Sequence, residues 1–500
     1  MKKDIIQKES FYATIVNFAG VGVAYLNLIF VLPHFLNLEE IGLLRLIIEM
    51  ATLFSLIFQL GAAQVVIRFF PKFQNNDLKM RSFLSFTLIL GITGVMILIL
   101  AYSIFRAEVI GYFSEKSGLV VDFERNILII AASIIVYNIL DKIFGTRKNI
   151  LIPTILREGI TRIGLSVVAI SIGLHYLTLA NGIGLWVIIY LIGPLVLLYL
   201  YKIRFGLKFA FDSSVWNTQQ IRTFLGFAGV VSIGTIGSGI SLRIDMLMTG
   251  SLIGLSELGI YATMVYMATV IEIPRRALAQ ISTPFISEYI NENKYDKIEV
   301  LYRKNSLVLL VLGIFIFMAI FFNLPYLFEI MPKGEAFSIG LNVFLIIGCM
   351  KLLLLLSGLA DQIVVYSKYA WVGSLSVLVL SVISIGLNLL LIPEYGINGA
   401  ALATLISVGI HNVFLILFVR IKFGVHPFSK PLITLLIATS LVFALFQFIP
   451  HFSNPFMGIL SISFILTTVY SLLIWKLNIS PDVNIMVING IQKFRKVLKL

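Results

Sequence analysis

The sequence predicts an all-α integral membrane protein with about fourteen transmembrane helices, arranged as two parallel six-helix repeats (6+6) plus two C-terminal helices. Composition is the first observation: 59% of the 500 residues are hydrophobic and 13% are charged, whereas soluble proteins are nearer half apolar and a quarter charged. Long apolar runs such as residues 127–140 and 307–322 are the second, because about 20 apolar residues cross the hydrocarbon layer as a helix. An internal repeat is the third.

The apolar runs define fourteen spans, which we number in chain order. Transmembrane strand barrels are excluded, because their strands alternate polar and apolar residues. The predicted spans cover about residues 11–33, 41–66, 83–104, 126–145, 150–173, 180–200, 222–242, 256–278, 305–326, 339–361, 369–392, 396–420, 432–450 and 456–476.

Positive charge is concentrated in alternate loops. In a soluble protein the net charge of +13 would suggest a nucleic-acid ligand, but alternating clusters of Lys and Arg mark the cytoplasmic loops of a membrane protein. Such clusters precede span 1, follow spans 2, 4, 6 and 8, and end the chain at Lys493, Arg495, Lys496 and Lys499. We therefore expect both termini in the cytoplasm, an even number of spans and no nucleic-acid partner.

Sequence motifs for catalysis are missing. The single cysteine, Cys349, allows no disulfide within the chain. The five histidines are scattered, and there is no HExxH motif, Walker loop or nucleophile elbow. The glycine-rich segment 234–239 lies within span 7 with no strand before it, so we interpret it as close helix packing. We expect no enzymatic activity, no cofactor and no metal site.

The two halves of the sequence align when one is shifted by 217 residues. Gly20 then falls on Gly237, and EIGLLRLIIEMAT at 40–52 falls on ELGIYATMVYMAT at 257–269. The pentapeptide ISIGL recurs at nearly the same offset. Because each copy has an even number of spans, the copies have the same orientation and should be related by an axis along the membrane normal.

The repeat divides the chain into three regions. These are an N-lobe with helices 1–6 at residues 1–210, a C-lobe with helices 7–12 at 211–424, and helices 13–14 with a basic cytoplasmic tail at 425–500. Two parallel lobes that rock about a central site form a transporter architecture. A duplication without transport is the alternative.

Polar stripes run along span 2 and along its repeat mate, span 8. The two stripes consist of Arg45, Glu49, Thr52, Ser55 and Gln59, and of Tyr266, Thr269, Glu272 and Arg276. Their spacings of three and four residues place each set on one face of a helix. Since lipid does not accept such faces, we expect spans 1, 2, 7 and 8 to line a water-filled pathway. Buried packing between helices is the alternative.

Further charges lie in or near the ends of spans 5, 7 and 10. Arg45 with Glu49 and Glu158 with Arg162 have i,i+4 spacing, so each pair can neutralise itself. Arg157, Arg243 and Lys351, by contrast, have no obvious partner in the local sequence. Unpaired cations in a membrane protein indicate a functional site, and arginine suits phosphate because its planar fork makes two parallel hydrogen bonds. The predicted substrate-binding residues are Arg45, Glu49, Thr52, Gln59, Arg157, Arg162, Arg243, Asp245, Thr269, Glu272, Arg276 and Lys351.

Three segments resemble a known family. LNLEEIGLLRLIIEMATLFSLIFQLGAAQVVIRFFP at 36–71 resembles the second helix of bacterial polysaccharide flippases, which belong to the multidrug, oligosaccharidyl-lipid and polysaccharide exporter superfamily. The segment 243–287 resembles their seventh and eighth helices, and YGINGAALATLIS at 395–407 resembles their twelfth. The resemblance extends over the whole chain in 6+6+2 order.

The resemblance implies a function and a location. It implies flipping of undecaprenyl-diphosphate-linked oligosaccharide from the cytoplasmic to the periplasmic leaflet of the bacterial inner membrane, for O-antigen or capsule biosynthesis. The implied partners are the lipid-linked oligosaccharide, membrane lipids, a polysaccharide polymerase and glycosyltransferases. A cationic central cavity is usual in the family. The sequence does not define the oligomeric state, for which we expect a monomer.

Alternative functions remain open within the same superfamily. A multidrug cation antiporter usually has twelve helices and acidic sites, which spans 13 and 14 and the embedded Arg and Lys disfavour. A lipid-linked peptidoglycan precursor flippase also has fourteen helices, and the sequence separates it poorly. A membrane-embedded glycosyltransferase would need a large loop with catalytic carboxylates, whereas the longest loops here have only about 25 residues.

Overall fold

The structure is a computed structural model that describes residues 2–205 and 210–479, and each regular element in these ranges is helical. The predicted basic tail with Lys493, Arg495, Lys496 and Lys499 lies outside the described residues. The chain forms two compact units, Met1–Ala262 and Thr263–Leu500. The repeat boundaries at 210 and 424 concern internal symmetry and stay a prediction.

The helices from the N-terminus to the start of span 8 include two π-helical segments, Asn27–Val31 and Ile155–Ile160. The remaining helices in this part are Lys2–Leu26, Leu32–Phe35, Leu38–Phe58, Ala62–Phe73, Asp77–Ile104, Arg106–Ser114, Leu119–Asp122, Glu124–Thr146, Leu151–Thr154, Thr161–Gly173, Leu179–Phe205, Thr218–Ser241, Ile244–Leu252 and Leu255–Ala268.

The rest of the chain begins with a short 3₁₀ turn, Thr269–Glu272, inside predicted span 8. The helices that follow are Ile273–Asn291, Tyr295–Ile330, Gly334–Ser338, Leu341–Ser357, Ala360–Val365, Ala370–Phe423, Lys430–Phe446 and Pro455–Lys476. Ile286, Tyr302 and Leu359 belong to one buried hydrophobic cluster. This cluster packs the helices Ile273–Asn291 and Tyr295–Ile330 against the start of the helix Ala360–Val365, which contains Asp361.

Nine helices of the described part are long and apolar enough to cross a membrane, and two shorter helices, Leu341–Ser357 and Lys430–Phe446, are also apolar. The chain is therefore a multi-pass membrane protein. One of the nine helices is Ala370–Phe423, which contains a non-helical residue at Gly396 with φ 57°. The sequence divides spans 11 and 12 at this position. The count of fourteen crossings stays a prediction.

Span 2 differs from the prediction of one helix over 41–66. Its first helix begins with a capping box at Asn37 and Glu40 and ends at Phe58. Leu60 and Gly61 then adopt left-handed backbone conformations, and a new helix begins at Ala62. A Cβ on Gly61 would lie 2.7 Å from the carbonyl oxygen of Ala228, so both the conformation and the close approach require glycine.

The repeat has a structural counterpart at the start of spans 2 and 8. A Cβ built on Gly42 would lie 1.8 Å from the carbonyl oxygen of Leu255, and one built on Gly259 would lie 2.6 Å from the carbonyl oxygen of Leu38. Both Gly42 and Gly259, and Leu38 and Leu255, are 217 residues apart, which is the offset found in the sequence. The two close approaches are therefore reciprocal at the offset of the predicted repeat.

Candidate functional site

Glu49 in span 2 lies between two arginines. Its Oε1 is 3.4 Å from Nε of Arg45, and its Oε2 is 3.1 Å from Nε of Arg243. The first contact confirms the i,i+4 pair predicted from the sequence. The second gives Arg243, for which the local sequence offers no obvious partner, a partner distant in sequence; Arg243 is the N-cap residue of the helix Ile244–Leu252. The Glu49 side chain is only 9% exposed.

Glu158 in span 5 also lies between two arginines. Arg157 donates from Nε to Oε1 at 3.0 Å, and Arg162 donates from Nε to Oε2 at 2.7 Å. The pair Glu158–Arg162 is confirmed, whereas the expectation of a partnerless Arg157 is wrong. The π-helical segment Ile155–Ile160 explains the arrangement, because i→i+5 hydrogen bonds place residues five apart about one turn above each other. Arg157 and Arg162 thus reach the same carboxylate.

Helix 1 packs against this group. A Cβ on Gly20 would lie 2.8 Å from Cβ of Glu158, and Asn27 donates from Nδ2 to the carbonyl oxygen of Arg162 at 2.8 Å. The sequence predicts that span 1 lines the pathway. In the structure Gly20 and Asn27 of span 1 contact span 5.

The two groups of the N-terminal unit are electrostatically linked. Arg45 is close enough to Arg162 and Arg243 for their positive charges to repel its own. We call the set of Arg45, Glu49, Arg157, Glu158, Arg162 and Arg243 the arginine cluster. Its four arginines and two glutamates leave two positive charges uncompensated when all six side chains are ionised. An anion with two negative charges would balance them.

The C-terminal unit has its own charged group around Glu272. Lys351, for which the local sequence offers no obvious partner, donates from Nζ to Oε2 of the distant Glu272 at 2.7 Å. Arg275 is 3.9 Å from Glu272 and 2.9 Å from Asp361, so it lies between the two acids. We call these four residues, with the exposed Arg276 that interacts with Glu272, the lysine cluster.

The predicted site residues do not include Arg275, although it lies within predicted span 8. In the structure Arg275 lies in the helix Ile273–Asn291, and its side chain is 19% exposed. Its i,i+3 spacing from Glu272 was the available signal.

Four other predicted site residues make local contacts or lie at a helix end. Thr52 donates to the carbonyl oxygen of Ile48, and Thr269 donates to that of Tyr266. Gln59 is 3% exposed and ends the helix Leu38–Phe58. Asp245 is buried and accepts a hydrogen bond of 2.7 Å from the Tyr261 hydroxyl, which favours a packing role for this carboxylate.

Span 11, the repeat mate of span 5, contains no charged residue over 370–392. Together with span 12 it lines an apolar cavity of about 320 Å³. Leu375, Val379 and Phe414 are among the lining residues, and the polar contact there joins Ser376 to His411 at 3.1 Å. The C-terminal unit therefore has an apolar surface where the N-terminal unit has the Glu158 group.

Comparison with known sequences gives a family. Residues 6–290 match the family described as "Polysaccharide biosynthesis protein". The chain is also 27% identical over 209 residues to the capsular polysaccharide biosynthesis protein CapF of Staphylococcus aureus. This alignment covers 41% of the chain and 50% of CapF, so it spans half the length of that curated relative.

Comparison with solved structures gives the fold. The chain is similar to the lipid II flippase MurJ in an inward closed conformation, with a TM-score of 0.69, 15% identity, and coverage of 95% of this chain and 99% of MurJ. It is also similar to an inward-facing multidrug resistance MATE family transporter of the MOP superfamily, with a TM-score of 0.65, 12% identity, and coverage of 82% and 94%. At these identities the similarity shows a shared fold.

Proposed function

The chain belongs to the polysaccharide biosynthesis protein family, and on this premise we propose that it is a lipid-linked oligosaccharide flippase. It moves undecaprenyl-diphosphate-linked oligosaccharide from the cytoplasmic to the outer leaflet by alternating access, before polymerisation into O-antigen or capsule. It works in the bacterial inner membrane with both termini in the cytoplasm. A polysaccharide polymerase and glycosyltransferases are its proposed partners.

The arginine cluster is the observation that carries this proposal. Arg157 is its most exposed member, with 49% of its side chain accessible. A guanidinium binds phosphate through parallel hydrogen bonds, and such charge-assisted contacts are about twice as strong as neutral ones. The excess of two positive charges suits a diphosphate better than a drug cation, which the cluster would repel. This charge balance also disfavours a multidrug cation antiporter.

The fold supports alternating access. Its solved neighbours are transporters, and the reciprocal contact of Gly42 and Gly259 supports two equivalent, parallel halves. Parallel repeats related by an axis along the membrane normal can rock about a central substrate site. In this proposal the protein supplies binding and movement, with no bond in the substrate made or broken.

A complementation experiment tests the proposal. A strain that lacks its capsule or O-antigen flippase should regain polymer when it expresses the wild-type chain, whereas a strain depleted of its peptidoglycan precursor flippase should not regain growth. The reverse pattern would favour the peptidoglycan precursor as substrate. Polymer on the cell surface and the amount of protein in the membrane are measured together.

Arg157 variants locate the function within the chain. Arg157→Ala should remove most of the polymer while the protein remains in the membrane, and Arg157→Lys should restore part of it, because lysine keeps the charge and loses the fork. Arg106→Ala is the matched control, since Arg106 pairs with Glu124 outside the cluster. A stable Arg157→Ala protein that gives full polymer would refute the role of Arg157.

A further inference from the structure

The Glu158 carboxylate contacts its two arginines through different oxygens. Oε1 accepts from Arg157, and Oε2 accepts from Nε of Arg162 and lies 2.6 Å from Nη2 of the same residue. Arg157 can therefore leave the carboxylate while Arg162 still holds the other oxygen. Loss of Arg157 does not leave a buried acid unpaired, which is the event that makes breaking an ion pair costly.

Arg157 is also the partner that a ligand can reach. Its side chain is 49% exposed, that of Arg162 is 33% exposed, and that of Glu158 is 11% exposed. Arg157 uses only Nε in its hydrogen bond to Glu158, and its two terminal nitrogens have no hydrogen bond to any residue in the described ranges. Four of its five N–H donors are thus available.

The backbone around Glu158 is fixed by helix 1. A Cβ on Gly20 would lie 2.8 Å from Cβ of Glu158 and 3.0 Å from its carbonyl oxygen. Glu158 has no room to move toward helix 1, so a rearrangement of the group moves the more exposed Arg157 instead.

We propose that Glu158 occupies, in the substrate-free protein, the place of a substrate phosphate on Arg157, and that the phosphate binds by exchanging with this carboxylate. The inference rests on the proposed function, which supplies the diphosphate. A phosphate can accept two parallel hydrogen bonds from the guanidinium of Arg157, whereas Glu158 accepts only one from it. The exchange therefore favours the phosphate. The carboxylate then competes for Arg157 again and speeds release of the substrate in the other leaflet.

The test measures binding of inorganic diphosphate to the purified full-length protein by isothermal titration calorimetry. Glu158→Gln keeps the shape of the side chain and removes the competing charge, so it should bind diphosphate about tenfold more tightly, a factor that corresponds to one charge-assisted hydrogen bond. Glu124→Gln is the control, because Glu124 is also paired with an arginine but lies outside the cluster. It should bind as the wild type does. Unchanged or weaker binding by Glu158→Gln overturns the exchange.

A second comparison keeps the proposal testable if Glu158→Gln does not fold with two unbalanced arginines. The double variant Glu158→Gln/Arg162→Gln has no excess charge relative to the wild type, and it should bind diphosphate more tightly than Arg162→Gln alone. Equal binding by these two variants contradicts the exchange.

The same titrations separate this inference from the proposed function. If the wild type binds diphosphate, Arg157→Ala loses binding, and Glu158→Gln is unchanged, the exchange is wrong and the phosphate role of Arg157 remains. If the wild type itself does not bind diphosphate, both proposals fail.

Discussion

Glu158 of the arginine cluster and Glu272 of the lysine cluster both lie where a helix departs from α geometry. The helix is wider than an α-helix at Glu158 and tighter at Glu272. Glu158 lies in a wide π-helical segment, and Glu272 ends a tight 3₁₀ turn. Each departure brings several charged side chains to one carboxylate. In the π segment Glu158 contacts two arginines, whereas in the 3₁₀ turn Glu272 contacts a lysine at 2.7 Å and an arginine at 3.9 Å.

The difference shows which charges are available for function. Glu49 and Glu158 each have two close arginines, so either acid stays paired when one arginine binds a ligand. Glu272 depends mainly on Lys351, whose side chain is 12% exposed. At the predicted 217-residue offset the two halves differ in chemistry: Ser55 falls on Glu272, and span 11 has none of the charges of span 5.

Removal of Lys351 should have the largest effect on stability. Lys351→Ala leaves the largely buried Glu272 without its close partner, with only Arg275 at 3.9 Å and the exposed Arg276 nearby, and breaking such a pair costs about 3 kcal/mol. Arg157→Ala should leave the unfolding temperature nearly unchanged. Thermal unfolding in detergent, followed by size-exclusion chromatography, compares the two variants. The double variant Lys351→Ala/Glu272→Gln should recover most of the loss, and failure to recover would show that Lys351 stabilises the fold by other contacts.

The reciprocal glycine contact should give the next largest effect. Gly42→Ala and Gly259→Ala each place a methyl group against a backbone carbonyl oxygen, and such overpacking costs about 1–3 kcal/mol. The two substitutions should have similar effects, since the positions are equivalent. Gly22→Ala is the matched control, because a Cβ there meets nothing within 4 Å. Normal stability of Gly42→Ala would contradict the close approach of these helices.

Cysteine accessibility gives the smallest effect, and it tests the predicted pathway. In a Cys349→Ala background, cysteines at Thr52 and Thr269 should react faster with a small water-soluble reagent than cysteines at Leu53 and Val270. Leu53 is rotated by about 100° from Thr52 on an α-helix, and Val270 by about 120° from Thr269 on the 3₁₀ turn. Equal protection of all four would mean that the stripes of spans 2 and 8 are buried packing.

The positions of many helices could be predicted from hydropathy alone. Span 14 is predicted at 456–476 and is the helix Pro455–Lys476. An uninterrupted apolar run crosses lipid as a helix, because only a helix satisfies its backbone hydrogen bonds within one segment. The break within span 2 is not predicted, since the left-handed pair Leu60 and Gly61 interrupts a sequence that remains apolar. A hydropathy window does not detect a change of two backbone angles.

The partners of the embedded cations were less predictable. Arg243 binds Glu49, which is almost two hundred residues away in sequence. A single sequence gives no signal for a contact between residues so far apart. Arg157 binds its neighbour Glu158, although adjacent residues on a regular α-helix do not face each other. The π-helical segment that changes this geometry has no signature in residue type.

The central claim is that exposed arginine in the N-terminal unit binds the diphosphate of a lipid-linked oligosaccharide during flipping. Its most direct test is the initial flipping rate in proteoliposomes, measured for a diphosphate-linked oligosaccharide and for the same glycan on an uncharged lipid. The wild type should flip the diphosphate form faster, and Arg157→Ala should reduce that rate about tenfold or more, as loss of a charge-assisted contact predicts, while Arg106→Ala retains it. Equal rates for both lipids, or a folded Arg157→Ala protein that flips the diphosphate form at the wild-type rate, would contradict the account.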